Sequence, residues 1–146
     1  MDKSAFLDEL RLEVGLVSEY ANSQNEFFNG IIQVFGKYIK QGFSTGLYKS
    51  HERFFKLIAS VGDEAYNLIE LFGEGPLSIS AIRGRISTIE FENTIRLLAP
   101  FYEGHHLIGI MVFSLPKIGY EVTEEDLIFV HEVCRHIELN QSHYSN

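Results

Sequence analysis

The spacing of apolar residues changes twice along this chain, and that change limits the fold more than any single motif does. At both ends of the 146 residues, apolar side chains recur at every third or fourth position, which is the period of an amphipathic helix. Between the ends they form short runs separated by polar turns, which is typical of strands. The sequence therefore predicts helices at both ends and a largely β middle.

Two helices are predicted at the N-terminal end. The first begins at Ser4, and a capping-box pattern of Ser23 and Glu26 begins the second, which Gly42 is expected to end. Their apolar stripes consist of Phe6, Leu7, Leu10, Val14 and Val17 on the first helix and of Phe27, Phe28, Ile31, Ile32, Phe35, Tyr38 and Ile39 on the second.

The pattern of short apolar runs in the middle of the chain predicts five strands. They cover residues 43–49, 54–61, 86–90, 95–102 and 107–115. Because the short turns between neighbours indicate hairpins, and because helices flank the strands, the fold class is α+β with an antiparallel sheet.

The remaining segments are less regular. Residues 63–72 are expected to be helical or irregular, and Pro76 suits the first turn of a short helix that Gly84 ends. A final helix is expected to begin at Thr123, with Asp126 as its capping partner.

Length and charge limit the domain count and the partners. A chain of 146 residues fits one domain, which we divide into a helical extension over 1–22 and a core over 23–142. No apolar run approaches the roughly 18 residues of a spanning helix, and the first residues lack a signal pattern, so a cytoplasmic location is expected. The net charge of −8 argues against nucleic acids and anionic membranes as partners.

Four segments of the chain resemble the GAF domain family. They are residues 54–62, 73–78, 107–113 (which contains Leu-Ile-Gly) and 123–127. The resemblance implies an antiparallel sheet of five to six strands, with the N- and C-terminal helices on one face. A ligand pocket is then expected on the other face, beneath the middle helix.

The same resemblance suggests which chemistry to expect. The free methionine sulfoxide reductases of this fold need several cysteines, whereas this chain has only Cys134. We therefore predict that the chain is not an enzyme and that it has no cofactor and no metal. The motif of cyclic-nucleotide-binding GAF domains is absent too. In size the chain is similar to the nitrate receptors that work beside bacterial histidine kinases.

The predicted ligand site combines the start of the middle helix with the strands that face it. A helix beginning near Pro76 directs unpaired backbone amides outward, which suits an anion or a carbonyl group. By analogy with the nitrate receptors, the Ile58 and Ala59 amides with Tyr48 would hold the anion. The candidate residues are Tyr48, Leu57, Ile58, Ala59, Ser60, Pro76, Leu77, Ser78, Ile86, Thr88 and Ile89. The alternative is an ordinary capped helix above plain core residues.

Other reactive residues have ordinary explanations as well. His105 and His106 suit either a metal or a solvated turn, and Glu74 suits either a base or a loop carboxylate. Cys134, with His131 and His136 nearby in sequence, suits either a redox switch or a small core residue. Three arginines, Arg83, Arg85 and Arg96, could attract an anion or form solvated ion pairs.

We consider two main functions. The first is a sensor that binds a small molecule, with an anion such as nitrate as the leading ligand, and signals to a sensor kinase or transcription regulator. The alternative is a ligand-free GAF-like module for dimerisation or protein interaction. A homodimer through the terminal helices is expected, formed by Phe6, Leu10, Val14 and Val17 with Leu127, Val130, Cys134 and Ile137. The alternative is that both helices pack on the sheet of their own chain.

Overall fold

A computed structural model describes residues 2–38 and 42–144. The helices are α1 (Lys3–Tyr20), α2 (Gln24–Tyr38), α3 (Pro76–Arg83) and α4 (Glu124–Asn140), and a 3₁₀ turn (Gln141–His143) follows α4. The strands are β1 (Ser44–Ser50), β2 (Phe54–Gly62), β3 (Ile69–Leu71), β4 (Ser87–Glu90), β5 (Thr94–Glu103) and β6 (His106–Pro116). The α+β class is confirmed.

One curled antiparallel sheet contains all six strands, in the order β3-β2-β1-β6-β5-β4. Its two central strands, β1 and β6, come from opposite ends of the β region. The expectation that residues 63–72 are helical or irregular is wrong for Ile69–Leu71, which pairs with residues 54–56 of β2. Three residues on a sheet edge are too few to show an alternating pattern in the sequence.

The helix ends are fixed by side chains. At α1 the N-cap is Asp2 rather than Ser4, and its Oδ1 accepts a hydrogen bond from the Ala5 amide at 2.9 Å. At α4 the expected capping box of Thr123 and Asp126 is present. Helix α2 is described as far as Tyr38, and residues 39–41 lie outside the described part of the chain; Gly42, the predicted end, has a positive φ of 88°.

Helices α1, α2 and α4 cover one face of the sheet. We call the apolar interior between them and the strands the helix-side core. It contains Val17, Phe28, Phe101, Met111 and Ile137, each fully or almost fully buried. The α1 and α2 backbones approach closely, because a Cβ on Gly30 would overlap the Val17 side chain.

Most of the residues predicted to form a dimer interface are buried within the protein itself. Leu10, Val14, Val17, Val130, Cys134 and Ile137 are all buried in the helix-side core, and Phe6 packs against it. Leu127 is 38% exposed, and Phe129 and Val133 occupy the buried face of α4 in its place. The outward face of α1 carries Leu12, Leu16 and Tyr20, which are exposed.

The opposite face of the sheet is covered by α3, a helix of only eight residues. We call the apolar group beneath it the α3-side cluster. Its buried members are Tyr48, Phe55, Leu77, Leu98, Ile110 and Val112, and Leu57, Tyr66, Ala81, Ile89 and Leu107 pack against them. Gly84 ends α3 in the left-handed conformation, as the sequence predicted. Within the described ranges, none of the helices has the length and apolar character needed to cross a membrane.

Candidate ligand site beneath α3

Two tyrosine hydroxyls point into the α3 side and are held by hydrogen bonds. Tyr48 donates to the Asn67 carbonyl at 2.6 Å, and Tyr66 shares a 2.7 Å hydrogen bond with Ser114. Burial, followed by the nearby charge of Glu70, raises the pKa of Tyr48 to about 12. Burial also raises the pKa of Tyr66. Both phenols are therefore neutral hydrogen-bonding groups at physiological pH.

A charged pair lies beside Tyr66. The Arg96 guanidinium donates to Glu64, with its Nε 2.8 Å from Oε1, and the two side chains are about three-quarters buried. The same guanidinium lies over the Tyr66 ring at 5.1 Å and over the Phe91 ring at 4.9 Å. This packing places charges of both signs at the edge of the apolar cluster.

The start of α3 already binds a carboxylate from its own chain. Glu70 Oε2 accepts a hydrogen bond from the Leu77 amide at 3.0 Å, and a Cβ on Gly75 would overlap the Glu70 carboxylate. Ser78 does not face outward either, because its Oγ accepts from the Gly73 amide at 2.8 Å. An external anion at this helix terminus would therefore have to displace Glu70.

Burial raises the pKa of Glu70, and the amides of Leu77 and Ser78 partly oppose that effect. A half-buried carboxyl with a raised pKa can exchange a proton closer to neutrality than an exposed glutamate can. Burial thus favours the protonated form of Glu70 more than it would be favoured in an exposed glutamate.

One hydroxyl in the site lacks a partner. Ser87 lies opposite Leu98 in the β4–β5 pair, so its side chain shares the α3 face of the sheet. It is 5% exposed, and its Oγ has no hydrogen-bond partner among the described residues. By contrast, the buried Ser80 donates to the Leu98 carbonyl at 3.2 Å. An unpaired buried hydroxyl costs about 1–3 kcal/mol, so Ser87 is a group that a ligand would satisfy.

The structure brings together only part of the predicted site. Tyr48, Leu57, Leu77 and Ile89 belong to the α3-side cluster, and Pro76 and Ser78 lie at the helix start above it. Three others, Ile58, Ala59 and Ile86, pack against the helix-side core, and Ser60 and Thr88 are exposed.

A β-bulge explains part of this division. Leu47 pairs with Ala59 but Tyr48 pairs with Leu57, so Ile58 is an extra residue in β2. After a bulge the alternation of side chains shifts by one position. Sequence reasoning missed three residues of this site. Tyr66 and Glu70 lie in the segment that was expected to be helical or irregular. Ser87 differs from other serines only because its hydroxyl has no hydrogen-bond partner in the described part of the chain, which the sequence does not show.

Most of the other candidate residues are exposed to solvent. His105, His106 and His131 are exposed, as are Glu74, Arg83 and Arg85. His136 is half-buried, and burial lowers its pKa. No group of three or more metal-ligating side chains occurs in residues 2–38 or 42–144.

Cys134 lies on the helix side. Its thiol donates to the Ala99 carbonyl at 3.7 Å, and burial raises its pKa. It borders a cavity of about 400 Å³ whose other walls include Arg85 and His131. The sheet therefore separates this thiol from the α3-side cluster.

Solved structures share this fold along nearly the whole chain. A free methionine-R-sulfoxide reductase from Neisseria meningitidis, in complex with its substrate, superposes with a TM-score of 0.82 at 14% identity, covering 97% of this chain and 92% of that one. The GAF domain of a phosphoenolpyruvate-protein phosphotransferase from Coxiella burnetii gives 0.79 at 15% identity, with 97% and 96% covered. A putative GAF sensor protein from Burkholderia vietnamiensis gives 0.79 at 12%, with 96% and 90% covered.

The chain has the GAF fold. This confirms the resemblance at the level of architecture. No protein-family model matches the chain, and no curated protein matches its sequence.

The prediction that the chain is not an enzyme rested on its cysteine count, and the comparisons overturn it. Free methionine-R-sulfoxide reductases recur among the similar structures. The GAF fold of this chain is therefore shared with enzymes as well as with sensors.

Proposed function

We propose that this GAF domain is a sensor that binds a small polar molecule between α3 and the sheet. The observation that carries the proposal is the buried, unpartnered Ser87 hydroxyl. It shares its sheet face with apolar side chains such as Leu98, with the Tyr48 and Tyr66 hydroxyls, and with the charges of Arg96 and Glu64. An apolar floor with a few oriented polar groups is the usual composition of a small-molecule site.

A small anion such as nitrate is the first ligand to test. Arg96 supplies positive charge, and Ser87 supplies a hydroxyl donor that has no partner among the described residues. The backbone amide of Leu77 supplies another donor only after Glu70 has moved away. Nitrate binding at the helix start would therefore release the Glu70 carboxylate, and that movement is a structural change that a partner protein can detect.

The signalling partner we propose is a cytoplasmic sensor kinase or transcription regulator. The chain carries a net charge of −8, which is unfavourable for nucleic acids and anionic membranes. We also propose a homodimer through the helix layer, formed by the exposed side chains of Leu12, Leu16 and Tyr20 on α1. These residues are spaced four apart and lie on one helix face.

The proposal is tested by thermal unfolding of the purified protein with nitrate, nitrite, free amino acids and nucleotides. A ligand of the native state raises the melting temperature by mass action. Ser87→Ala and Arg96→Gln should reduce the shift, whereas Ser60→Ala, which changes an exposed serine on β2, should leave it unchanged. No shift with any compound would instead favour the ligand-free interaction module.

A second candidate function is enzymatic and is favoured by the likeness to the substrate-bound reductase. Charges of both signs beside an apolar floor suit the carboxylate, ammonium and side chain of a free amino acid. Reduction of a sulfoxide takes two electrons and two protons, which a dithiol supplies as it forms a disulfide. Because Cys134 lies behind the sheet, the electrons would come from an added dithiol.

The enzymatic candidate predicts that the protein converts free methionine-R-sulfoxide to methionine in the presence of dithiothreitol. Methionine-S-sulfoxide is the matched control, and Cys134→Ser shows whether the buried thiol takes part. Formation of methionine above the rate with dithiothreitol alone would establish an enzyme. A thermal shift without methionine formation would leave the sensor as the explanation.

A further inference from the structure

A second cavity, larger than the one beside Cys134, lies on the helix side of the sheet. It has a volume of about 600 Å³ and opens between the N-terminal ends of α1 and α4. We call it the α1–α4 cavity. It is separated by the sheet from the α3-side cluster, so an inference about it is independent of the function proposed above.

Aromatic rings form much of its wall. They include Phe6, Phe35, Phe43, Phe113, Tyr120 and Phe129. Phe35 meets Phe113 and Phe129 edge to face, with ring centroids 5.4 and 6.1 Å apart, and Phe43 meets Tyr120 at 5.1 Å. Aromatic rings prefer offset or edge-to-face contacts with one another, and this wall offers several rings as partners for a further flat ring.

The Lys3 ammonium at the mouth already has its hydrogen-bond partners within the chain. Lys3 Nζ donates to Asp126 Oδ2 at 2.8 Å, to the Glu121 carbonyl at 2.6 Å and to Thr123 Oγ1 at 3.2 Å. Tyr120 donates to the other oxygen of Asp126. An ammonium has three protons, so Lys3 has none left for an incoming anion.

The remaining charge around the mouth is negative. Glu121 and Glu125 are exposed members of the wall, and Asp2 lies beside them. A ligand carrying an anionic group is therefore repelled, and one carrying a cationic group is attracted.

We infer that the α1–α4 cavity is a binding site for an aromatic amine. The flat ring lies among the phenylalanine and tyrosine rings, and the protonated amine lies at the mouth beside Glu121 and Glu125. An occupant contacts α1, α4 and the sheet at once, so it stabilises the packing of the terminal helices on the strands.

The absence of tryptophan makes a direct test available. Excitation at the red edge of indole absorption excites an added indole probe and not the tyrosines of the protein. The fluorescence anisotropy of the probe rises when it binds. The three probes are tryptamine, indole and indole-3-propionate, which share one ring system and differ in charge. At low salt we expect tryptamine to bind about tenfold more tightly than indole-3-propionate, which is the size of effect that two exposed carboxylates produce.

Two variants locate the site. In Leu10→Phe a larger side chain enters the cavity, and binding of all three probes should be lost. In the double variant Glu121→Gln/Glu125→Gln, which changes only exposed side chains, indole binding should persist while the preference for tryptamine disappears. Ser87→Ala, on the other face of the sheet, is the matched control and should change nothing.

Several results would overturn the inference. They are an unchanged anisotropy for all three probes, a preference for indole-3-propionate, or a tryptamine preference that survives in the double glutamine variant. Should Leu10→Phe fail to fold, the double variant decides the question alone, because its substitutions leave the buried residues intact.

Discussion

The two faces of the sheet in this GAF-like fold differ in how they are covered and in what they bury. The helix side is covered by three helices and contains 21 buried apolar residues among those that the structure describes. The α3 side is covered by one helix of eight residues and contains six such residues, with hydrogen-bonded tyrosines, an ion pair and the unpaired Ser87 hydroxyl near them. The difference indicates that the helix side supplies most of the stability, and the α3 side is where we propose that a ligand binds.

The largest expected effect compares two buried phenylalanines. Phe28→Ala on the helix side should lower the free energy of unfolding by about 4 kcal/mol, since the ring is fully buried between layers. Phe55→Ala should cost about 3 kcal/mol, because the partly exposed Phe72, with its ring 4.6 Å away, can move into the space. Urea unfolding measures both, and an equal or larger cost at Phe55 would contradict the comparison.

A second test adds a methyl group to one helix on each side of the sheet, at Gly75 before α3 and at Gly15 in α1. Gly75→Ala should cost about 2 kcal/mol, because a Cβ there pushes the Glu70 carboxylate away from the Leu77 amide. Gly15→Ala, in the middle of α1 with open space around it, should stabilise the protein by about 0.5–1 kcal/mol. Thermal unfolding of the two variants measures these changes. A neutral Gly75→Ala would show that the Glu70 contact contributes nothing.

Two buried serines on the α3 side sharpen the comparison further. Ser80→Ala removes a hydroxyl that donates to the Leu98 carbonyl and should cost about 1 kcal/mol. Ser87→Ala removes an unpaired hydroxyl, so without ligand it should be neutral or stabilising by up to about 1 kcal/mol. Equal losses in the two variants would mean that Ser87 is already satisfied.

The smallest expected effect is a pH dependence. The pKa of Glu70 is raised in the folded state, so the folded protein holds that proton more tightly than the unfolded chain does. Stability from this group is therefore present below the ordinary glutamate pKa and is lost as the pH rises through the folded-state value. Glu70→Gln should gain stability relative to the wild type over that acidic window, as measured by urea unfolding at several pH values. A difference that does not change with pH would contradict the raised pKa.

The two faces also differ in how well the sequence predicts them. On the helix side, apolar periodicity located the buried residues of α1 and α2, such as Leu10 and Phe28, because each helix has one dominant buried face. On the α3 side, the bulge at Ile58 reverses the alternation on which strand assignments depend. Glu70 belongs to the site because it accepts a hydrogen bond from the Leu77 amide, and Ser87 because its hydroxyl has no partner within the described structure. Both properties depend on the folded structure, so no local sequence pattern identifies them.

The carboxylate of Glu70 at the start of α3 has a consequence for sensitivity. Because it is tethered to the chain, it competes for the Leu77 amide at a fixed effective concentration, whatever the ionic composition around the protein. An anion from solution would be bound there only when its own concentration and affinity exceed that internal competitor. The domain would then ignore low background levels of the anion, and substitutions at residue 70 would move the threshold without altering the rest of the site.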